Sequence, residues 1–210
     1  MNLVRWLVFG VLLFLFCAIL YPLELISHFD VSVTLFFETI RSPNMTKLAI
    51  FLSEIGSIKY ILPICIIISV LLLMKHKVLD VIFLFIMLFS VRLLNNQLKD
   101  IFTRERPNFN AVYEASHYSF PSGHSMNSIA TYSFLYYVVS SQILKTDNQR
   151  YVFMLGTIVL IIFIGISRIY LGVHYLTDVL AGFGAGIVWF IIIKGLFAKI
   201  NLFFDKNRTN

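Results

Sequence analysis

Six long apolar segments set the strongest limit on what this chain can fold into. They cover residues 4–21, 58–74, 78–98, 125–144, 152–170 and 177–197. Each is long enough, or nearly so, to cross the hydrocarbon core of a bilayer, which takes about 20 residues at helical rise. Their apolar residues form unbroken blocks instead of the single stripe of a soluble amphipathic helix. The segments therefore predict an all-α, polytopic membrane bundle with six transmembrane helices.

Composition agrees with a bilayer as the solvent. The chain is 59% hydrophobic and 13% charged, whereas an ordinary soluble domain is roughly 25% charged. No linker divides the sequence, so residues 1–210 are predicted to form a single integral membrane domain. The two cysteines, Cys17 and Cys65, lie inside apolar segments and are interpreted as packing residues, with no disulfide and no metal.

The basic residues predict how the chain is oriented. The net charge is +6, and Lys and Arg lie at the edges of the apolar segments. This arrangement suits contact with anionic headgroups better than nucleic-acid binding, and no nucleic-acid partner is expected. The basic residues that define one side are Arg5, Lys75, Lys77, Lys145, Arg150, Lys194, Lys199, Lys206 and Arg208. With six spans they share the cytoplasmic face of a plasma membrane, together with both termini. The loop 99–123 and the turn 171–175 then face outside.

Two segments near the N-terminus allow alternatives. Residues 4–21 could form a cleaved signal peptide, but the small-residue cleavage pattern is missing before Tyr21 and Pro22, which favours a retained helix. Residues 22–57 mix apolar and polar residues. They are predicted to form either a short interfacial helix in the headgroup layer or a packed loop cap.

The third apolar segment ends in a polar stripe. Arg92, Asn95, Asn96 and Lys99 are spaced so that all four share one helical face. Charged residues in an apolar helix face the protein interior or a wet cavity, since lipid exposure is costly. Interhelical hydrogen bonding is the simpler interpretation of the two asparagines. Arg92 either pairs with an acidic group or lies deep in a site, and the sequence leaves both open.

Two further clusters lie on the same predicted side. The sequence Pro-Ser-Gly-His at 121–124 enters the fourth segment, where Ser122 can cap the helix and free N–H groups can bind an anion. His174 precedes Asp178 by four residues, a spacing at which the carboxylate can fix the imidazole tautomer. Each pattern alone is more often structural. Together with Arg106 and Arg168 they predict a cationic pocket suited to a phosphoryl group.

These residues resemble the signature of the type 2 phosphatidic acid phosphatase (PAP2) superfamily. The matching parts are Lys99-x6-Arg106-Pro107, Pro121-Ser122-Gly123-His124 and Ser167-Arg168-x5-His174-x3-Asp178. No signature position is altered. The motifs span 99–178, and the six-segment layout extends the resemblance over nearly the whole chain, which at this size is similar to bacterial membrane lipid phosphatases.

The resemblance implies a division of roles. His174 attacks phosphorus and forms a phosphohistidine, Asp178 orients it, and His124 protonates the leaving oxygen. The implied phosphate ligands are Lys99, Arg106, Ser122, Gly123 and Arg168. Neither a cofactor nor a metal is implied, because the basic side chains supply the positive charge.

The signature recognises a phosphate and does not choose the lipid. Undecaprenyl diphosphate and a glycerophospholipid phosphate, either phosphatidylglycerophosphate or phosphatidate, both remain open as substrates. A lipid phosphotransferase could use the same residues. A non-catalytic transporter or scaffold predicts loss of a catalytic residue, and His124, His174 and Asp178 are all present. Oligomeric state leaves no trace in the sequence.

Overall fold

The computed structural model describes residues 2–113 and 115–208, and in that part of the chain every regular element is a helix. The helices are α1 (Leu3–Leu20), α2 (Glu24–Thr39), α3 (Pro43–Ile55), α4 (Ile58–Met74), α5 (Val78–Phe102), α6 (Gly123–Gln142), α7 (Asp147–Tyr170) and α8 (Leu176–Arg208). The predicted all-α fold is confirmed. Helices occupy all six of the predicted apolar segments.

The helix ends depart from the predicted boundaries where polar residues continue a helix. Helix α5 runs on to Phe102, through the polar stripe and past Lys99. Helix α7 begins at Asp147, where Thr146 and Gln149 form a capping box. Apolarity marks only the lipid-compatible part of a helix, so these polar turns were missed.

Fewer than six helices qualify as membrane spans on length and apolarity alone. Four do so in the described part of the chain, namely α1, α5, α7 and α8. Helices α3 and α4 qualify together as a fifth, although the pair is bent by 50°. Helix α6 is too polar to qualify. The predicted number of six is therefore not reached by these criteria.

The polarity of α6 follows from its central position. It packs against α4, α5, α7 and α8, so most of its surface faces other helices. Its buried polar residues are Ser125, Asn127, Ser128 and Thr131. A helix surrounded by protein can satisfy such groups without meeting lipid.

The segment between α1 and α4 forms two helices. The prediction of one short helix or a loop cap was therefore wrong in its detail. Helix α2 buries Asp30 and Thr34 against the bundle and exposes Leu25, Phe29 and Phe36. Its exposed surface mixes these apolar side chains with polar ones such as Ser27 and His28, a combination that fits the headgroup layer.

Glycines allow the closest helix contacts. A Cβ on Gly10 of α1 would lie 2.9 Å from the Gly184 carbonyl oxygen of α8, so these backbones nearly touch. Gly182 and Gly186 bring α8 equally close to α6, where an added Cβ would lie 2.7 Å from backbone oxygens. Small residues at these positions let the helix backbones pack closely.

Both cysteines are packing residues, as predicted. Cys65 of α4 is fully buried in the main apolar cluster with Leu84 and Phe134. Cys17 of α1 is buried in a smaller cluster against Phe120. Both thiols are free.

Candidate active site

A cavity of about 620 Å³ lies where the C-terminal ends of α5 and α7 meet the N-terminal ends of α6 and α8. The loop 103–122 and the turn 171–175 border it. Six of the eight predicted site residues line this cavity. They are Lys99, Arg106, Gly123, His124, Arg168 and His174. Residues far apart in sequence are brought together because adjacent helices run antiparallel.

His174 is buried, and both of its ring nitrogens have polar neighbours. Its Nδ1 lies 3.4 Å from Asp178 Oδ2 and 3.2 Å from Ser119 Oγ. Its Nε2 lies 3.2 Å from Arg106 Nη1. A guanidinium can only donate, so this contact gives Nε2 the lone pair and Nδ1 the proton. The tautomer is therefore the one in which the nitrogen beside Arg106 can act as a nucleophile.

The surrounding charges keep this imidazole neutral. Burial lowers the pKa of His174 well below its ordinary value, and the positive charges of Arg106, Arg168 and Lys99 lower it further. Burial, followed by the charge of Arg168, also lowers the pKa of Arg106 to about 10. At neutral pH the pair is thus a free imidazole beside a guanidinium cation.

Asp178 lies behind His174, away from the cavity wall, and is fully buried. Its Oδ2 accepts hydrogen bonds from Ser119 Oγ and from the Tyr175 N–H, the latter at 2.9 Å. Its Oδ1 accepts from Arg104 Nη1 at 2.6 Å. Donors on both oxygens fix the orientation of the carboxylate, which in turn orients the imidazole.

Arg104 connects Asp178 to a second buried carboxylate. Its Nη2 donates to Asp30 Oδ2 of α2 at 2.8 Å. The guanidinium also lies between two aromatic rings, 4.7 Å from the Tyr21 centroid and 4.2 Å from that of Tyr175. These hydrogen bonds and ring contacts fix the Arg104 guanidinium. The orientation of the Asp178 carboxylate therefore depends on Asp30 of α2 through Arg104.

Two cations approach the cavity with little solvent contact. Lys99 is 5% exposed and donates to the Tyr118 carbonyl oxygen. Arg168 is 2% exposed, and its Nη1 donates to the hydroxyls of Ser53 and Tyr113. The buried Nε of Arg168 has no acceptor in the described part of the chain. A phosphate oxygen in the cavity would supply one.

The N-terminus of α6 presents backbone donors to the same cavity. The N–H groups of Gly123 and His124 donate to no acceptor among the described residues. A Cβ on Gly123 would lie 2.8 Å from Asn95 Oδ1, so this wall has no space for a side chain. Ser122 caps the helix through the Ser125 N–H and is fully buried off the cavity wall. The structure therefore does not bring its side chain into the site.

The polar stripe of α5 contributes both to helix packing and to the cavity wall. Asn95 donates to the Pro121 carbonyl oxygen at 3.2 Å and to Met126 Sδ at 3.5 Å, so the predicted interhelical bonding is confirmed for it. All four residues of the stripe, Asn95 included, line the cavity. Of the two alternatives for Arg92, the structure favours the one that places it deep in the site.

Sequence reasoning missed several hydrogen-bond partners of the predicted residues. They are Asp30, Ser53, Arg104, Tyr113, Ser119 and Thr177. The one usable signal was Asp30, a lone acid in an apolar stretch of α2. The others lie in loops or in the first or last turn of a helix, where a polar residue is ordinary. Within residues 2–113 and 115–208 no three His, Cys, Asp or Glu side chains are grouped closely enough to hold a metal ion.

Comparisons with known proteins agree with the geometry. Residues 81–201 match the model of the PAP2 superfamily. Phosphatidylglycerophosphatase B of Bacillus subtilis is 34% identical over 168 residues, which cover 80% of this chain and 82% of that protein. Lipid phosphate phosphatase delta of Arabidopsis thaliana is 28% identical over 119 residues, or 51% of this chain and 28% of that protein.

Solved structures show the same architecture. The crystal structure of the transmembrane PAP2-type phosphatidylglycerolphosphate phosphatase from Bacillus subtilis has a TM-score of 0.88 at 31% identity, covering 92% of this chain and 96% of that one. Aquifex aeolicus LpxE has a TM-score of 0.61 at 23% identity, covering 79% and 94%. The second likeness speaks for the fold alone.

Proposed function

The chain belongs to the PAP2 superfamily of membrane lipid phosphatases, and from that premise we propose that it removes phosphate from a lipid headgroup through a phosphohistidine on His174. The observation that carries the proposal is the contact pattern of this imidazole. Nε2 faces a cation on the cavity wall, while Nδ1 faces the buried pair Ser119 and Asp178. Such an arrangement is needed for a neutral nucleophile whose charge will rise during attack.

In the first step Nε2 of His174 attacks phosphorus. The new N–P bond forms as the bond from phosphorus to the lipid oxygen breaks, and its electron pair leaves on that oxygen. His124, at the N-terminus of α6, gives the leaving oxygen its proton. Asp178 stabilises the positive imidazole through Nδ1. Lys99, Arg106 and Arg168 stabilise negative charge on the equatorial oxygens, usually the largest catalytic contribution.

In the second step water cleaves the phosphohistidine. His124, now neutral, takes a proton from the water as its oxygen attacks phosphorus. The N–P bond breaks, its electron pair returns to Nε2, and inorganic phosphate leaves. Lys99, Arg106 and Arg168, which we call the phosphate cradle, bind the phosphoryl group in both steps.

The names of the Bacillus relatives favour phosphatidylglycerophosphate as the substrate. Phosphatidate and undecaprenyl diphosphate remain comparison substrates, because the phosphate cradle itself does not distinguish them. Transfer to a second lipid would use the same phosphohistidine and would show as a product that depends on acceptor concentration.

The proposed topology has six spans and an extracytoplasmic site. Helix α6 runs antiparallel to α5 and α7, with its N-terminus beside their C-terminal ends at the cavity. If those two helices cross the membrane, α6 must cross it between them, shielded from lipid by its neighbours. The Lys and Arg residues of the opposite loops favour the cytoplasm for both termini.

The test is phosphate release by purified protein in detergent with excess chelator, from phosphatidylglycerophosphate, phosphatidate and undecaprenyl diphosphate. We expect chelator-resistant release that His174→Ala abolishes and His124→Ala reduces by roughly 10²–10⁴-fold, the usual contribution of general acid–base catalysis. Full activity of His174→Ala, or no release from any of the three lipids by the unaltered protein, would contradict the proposal.

A further inference from the structure

Arg92 is a cation without a partner inside an apolar helix. It lies in α5 between Val91 and Leu93, lines the cavity and is only partly exposed. It makes no hydrogen bond or ion pair with any residue that the structure describes. An arginine at such a position is costly and generally faces a polar partner in the protein interior or a water-filled cavity. The proposed mechanism gives Arg92 nothing to do.

Its distance from the phosphate cradle is set by the helix. Arg92 precedes Lys99 by seven residues, about two turns or roughly 10 Å along the axis. Gly123 of α6 lies level with Asn95 of α5, since a Cβ there would touch the Asn95 side chain. Asn127, one turn further along antiparallel α6, is therefore nearly level with Arg92.

Asn127 supplies the second observation. Its side chain is 93% buried and lines the cavity, and its Oδ1 has no hydrogen-bond partner among the described residues. Ser57 at the start of α4 lines the same cavity, and its buried Oγ is likewise unpartnered. A buried polar atom without a partner is destabilising, so such atoms are usually completed by water or a ligand.

We propose that Arg92 and Asn127 form a second anion subsite, which binds a phosphodiester two helical turns from the phosphate that is removed. The ligand class is a lipid whose headgroup carries two phosphates joined by a short polyol. Arg92 donates to the phosphodiester oxygens. Asn127 Oδ1 accepts from a hydroxyl of the polyol, and Ser57 can exchange a hydrogen bond with the same group. This inference rests on the proposed phosphatase activity and specifies its substrate.

The direction of the cavity agrees with how such a lipid lies in a membrane. The terminal phosphate of the headgroup would reach His174 at the helix ends. The phosphodiester, nearer the acyl chains, would lie deeper along α5, which is where Arg92 stands. In a lipid diphosphate one bridging oxygen joins the two phosphorus atoms, so both fit within the cradle and an apolar chain would pass Arg92. Phosphatidate has no second phosphate to bind there.

The experiment compares Arg92→Gln with the unaltered protein on phosphatidylglycerophosphate, phosphatidate and undecaprenyl diphosphate. We expect kcat/KM for phosphatidylglycerophosphate to fall about tenfold or more, mostly through KM, because an anion loses its charged partner. The other two lipids should change less than threefold. Arg92→Lys should restore part of the loss, and Asn127→Leu should show the same preference more weakly. Lys77→Gln, which removes a cation at the opposite end of α5, is the matched control.

Product inhibition gives a binding readout. Phosphatidylglycerol keeps the phosphodiester, so it should inhibit the unaltered protein competitively. Its inhibition constant for Arg92→Gln should be at least fivefold higher. Equal losses on all three lipids, or no loss on phosphatidylglycerophosphate, would overturn the second subsite while leaving the phosphatase activity intact. If the unaltered protein released no phosphate from any lipid, the proposed function itself would fail.

Discussion

At the residue scale, the proposed mechanism gives the two ring nitrogens of His174 different roles. Arg106 contacts Nε2, the proposed nucleophile, and Ser119 and Asp178 contact Nδ1, where the proposed mechanism places the stabilisation of the developing charge. When a phosphate enters, Arg106 can exchange its contact with Nε2 for one with a phosphate oxygen. In the proposed mechanism, the residue that helps to keep His174 unprotonated at rest is thus also the one that binds the substrate.

This arrangement predicts a pH effect for Arg106→Gln. Burial and the Arg106 charge both lower the pKa of His174, so removing that charge should raise the pKa. The protonated imidazole cannot attack, and the acid limb of kcat/KM should therefore move to higher pH. The measurement is kcat/KM against pH for both proteins on one lipid, so that ionisation of the substrate is common to both. An unmoved or lowered acid limb would contradict the assignment.

Asp30 should act as a positioning residue. Asp30→Asn weakens one partner of Arg104 but leaves the bond from Arg104 to Asp178, so the protein should still fold. The orientation of the Asp178 carboxylate should be less tightly fixed. We expect kcat to fall about tenfold, or ~1.4 kcal/mol, with KM little changed. Asp80→Asn, at the opposite end of α5 and also buried, is the matched control. A change in KM alone, or an equal loss in the control, would point to a general structural effect.

The residues that line the cavity could be predicted from the sequence better than the residues that hold them in place. Lys99 and Arg168 could be found because charge in an apolar helix is costly and so marks a site. Arg106 and His174, which lie outside the helices, could be found through the motifs they share with those residues. Ser119 could not, because one serine in a polar loop carries no such cost. The placement of each predicted residue is seen in the structure, while its catalytic role stays a prediction.

At the element scale, close packing of α8 on α6 sets the geometry of the site. Gly182 lies against the Ser122 carbonyl oxygen, and Ser122 begins the helix that carries His124. The Ser122 N–H also donates to the Asp178 carbonyl oxygen at 2.9 Å. Packing between these helices therefore holds the acid and the nucleophile in register.

Gly182→Ala should be destabilising, because the new Cβ would lie 2.7 Å from a backbone oxygen that cannot move aside. We expect a loss of about 1–3 kcal/mol, typical of overpacking, together with reduced kcat. Gly195→Ala is the control in the same helix, since nothing lies within 4 Å of its Cβ position. Thermal unfolding in detergent distinguishes them, and equal stability of the two variants would contradict this account of the packing.

The polarity of an element was the harder feature to predict. Helix α2 exposes Leu25 and buries Asp30, the reverse of a soluble helix, so its pattern allowed both an interfacial helix and a loop. Helix α6 was located correctly from its length, but its polar residues place it below the apolarity of a lipid-facing span. In both helices, whether a polar residue is buried depends on the surface that the helix contacts, either protein or the headgroup layer. The sequence of one segment does not specify that surface.

At the scale of the whole molecule, the proposed six spans would place the cavity and the loop 143–146 on opposite sides of the membrane. Asn108 and Lys145 are both exposed, whereas the native cysteines are buried. In intact cells an impermeant thiol reagent should label Asn108→Cys and spare Lys145→Cys until the membrane is opened. Labelling of both from outside, or of Lys145→Cys alone, would contradict the proposed topology.

The central claim is that phosphate leaves the lipid in two displacements through His174. Each in-line displacement inverts the configuration at phosphorus, so two restore it. The most direct measurement is the steric course of hydrolysis of a lipid thiophosphate that is isotopically chiral at phosphorus. Retention of configuration in the released thiophosphate is the result predicted here. Inversion would mean that water attacks the lipid phosphate directly, and His174 would then not be the nucleophile.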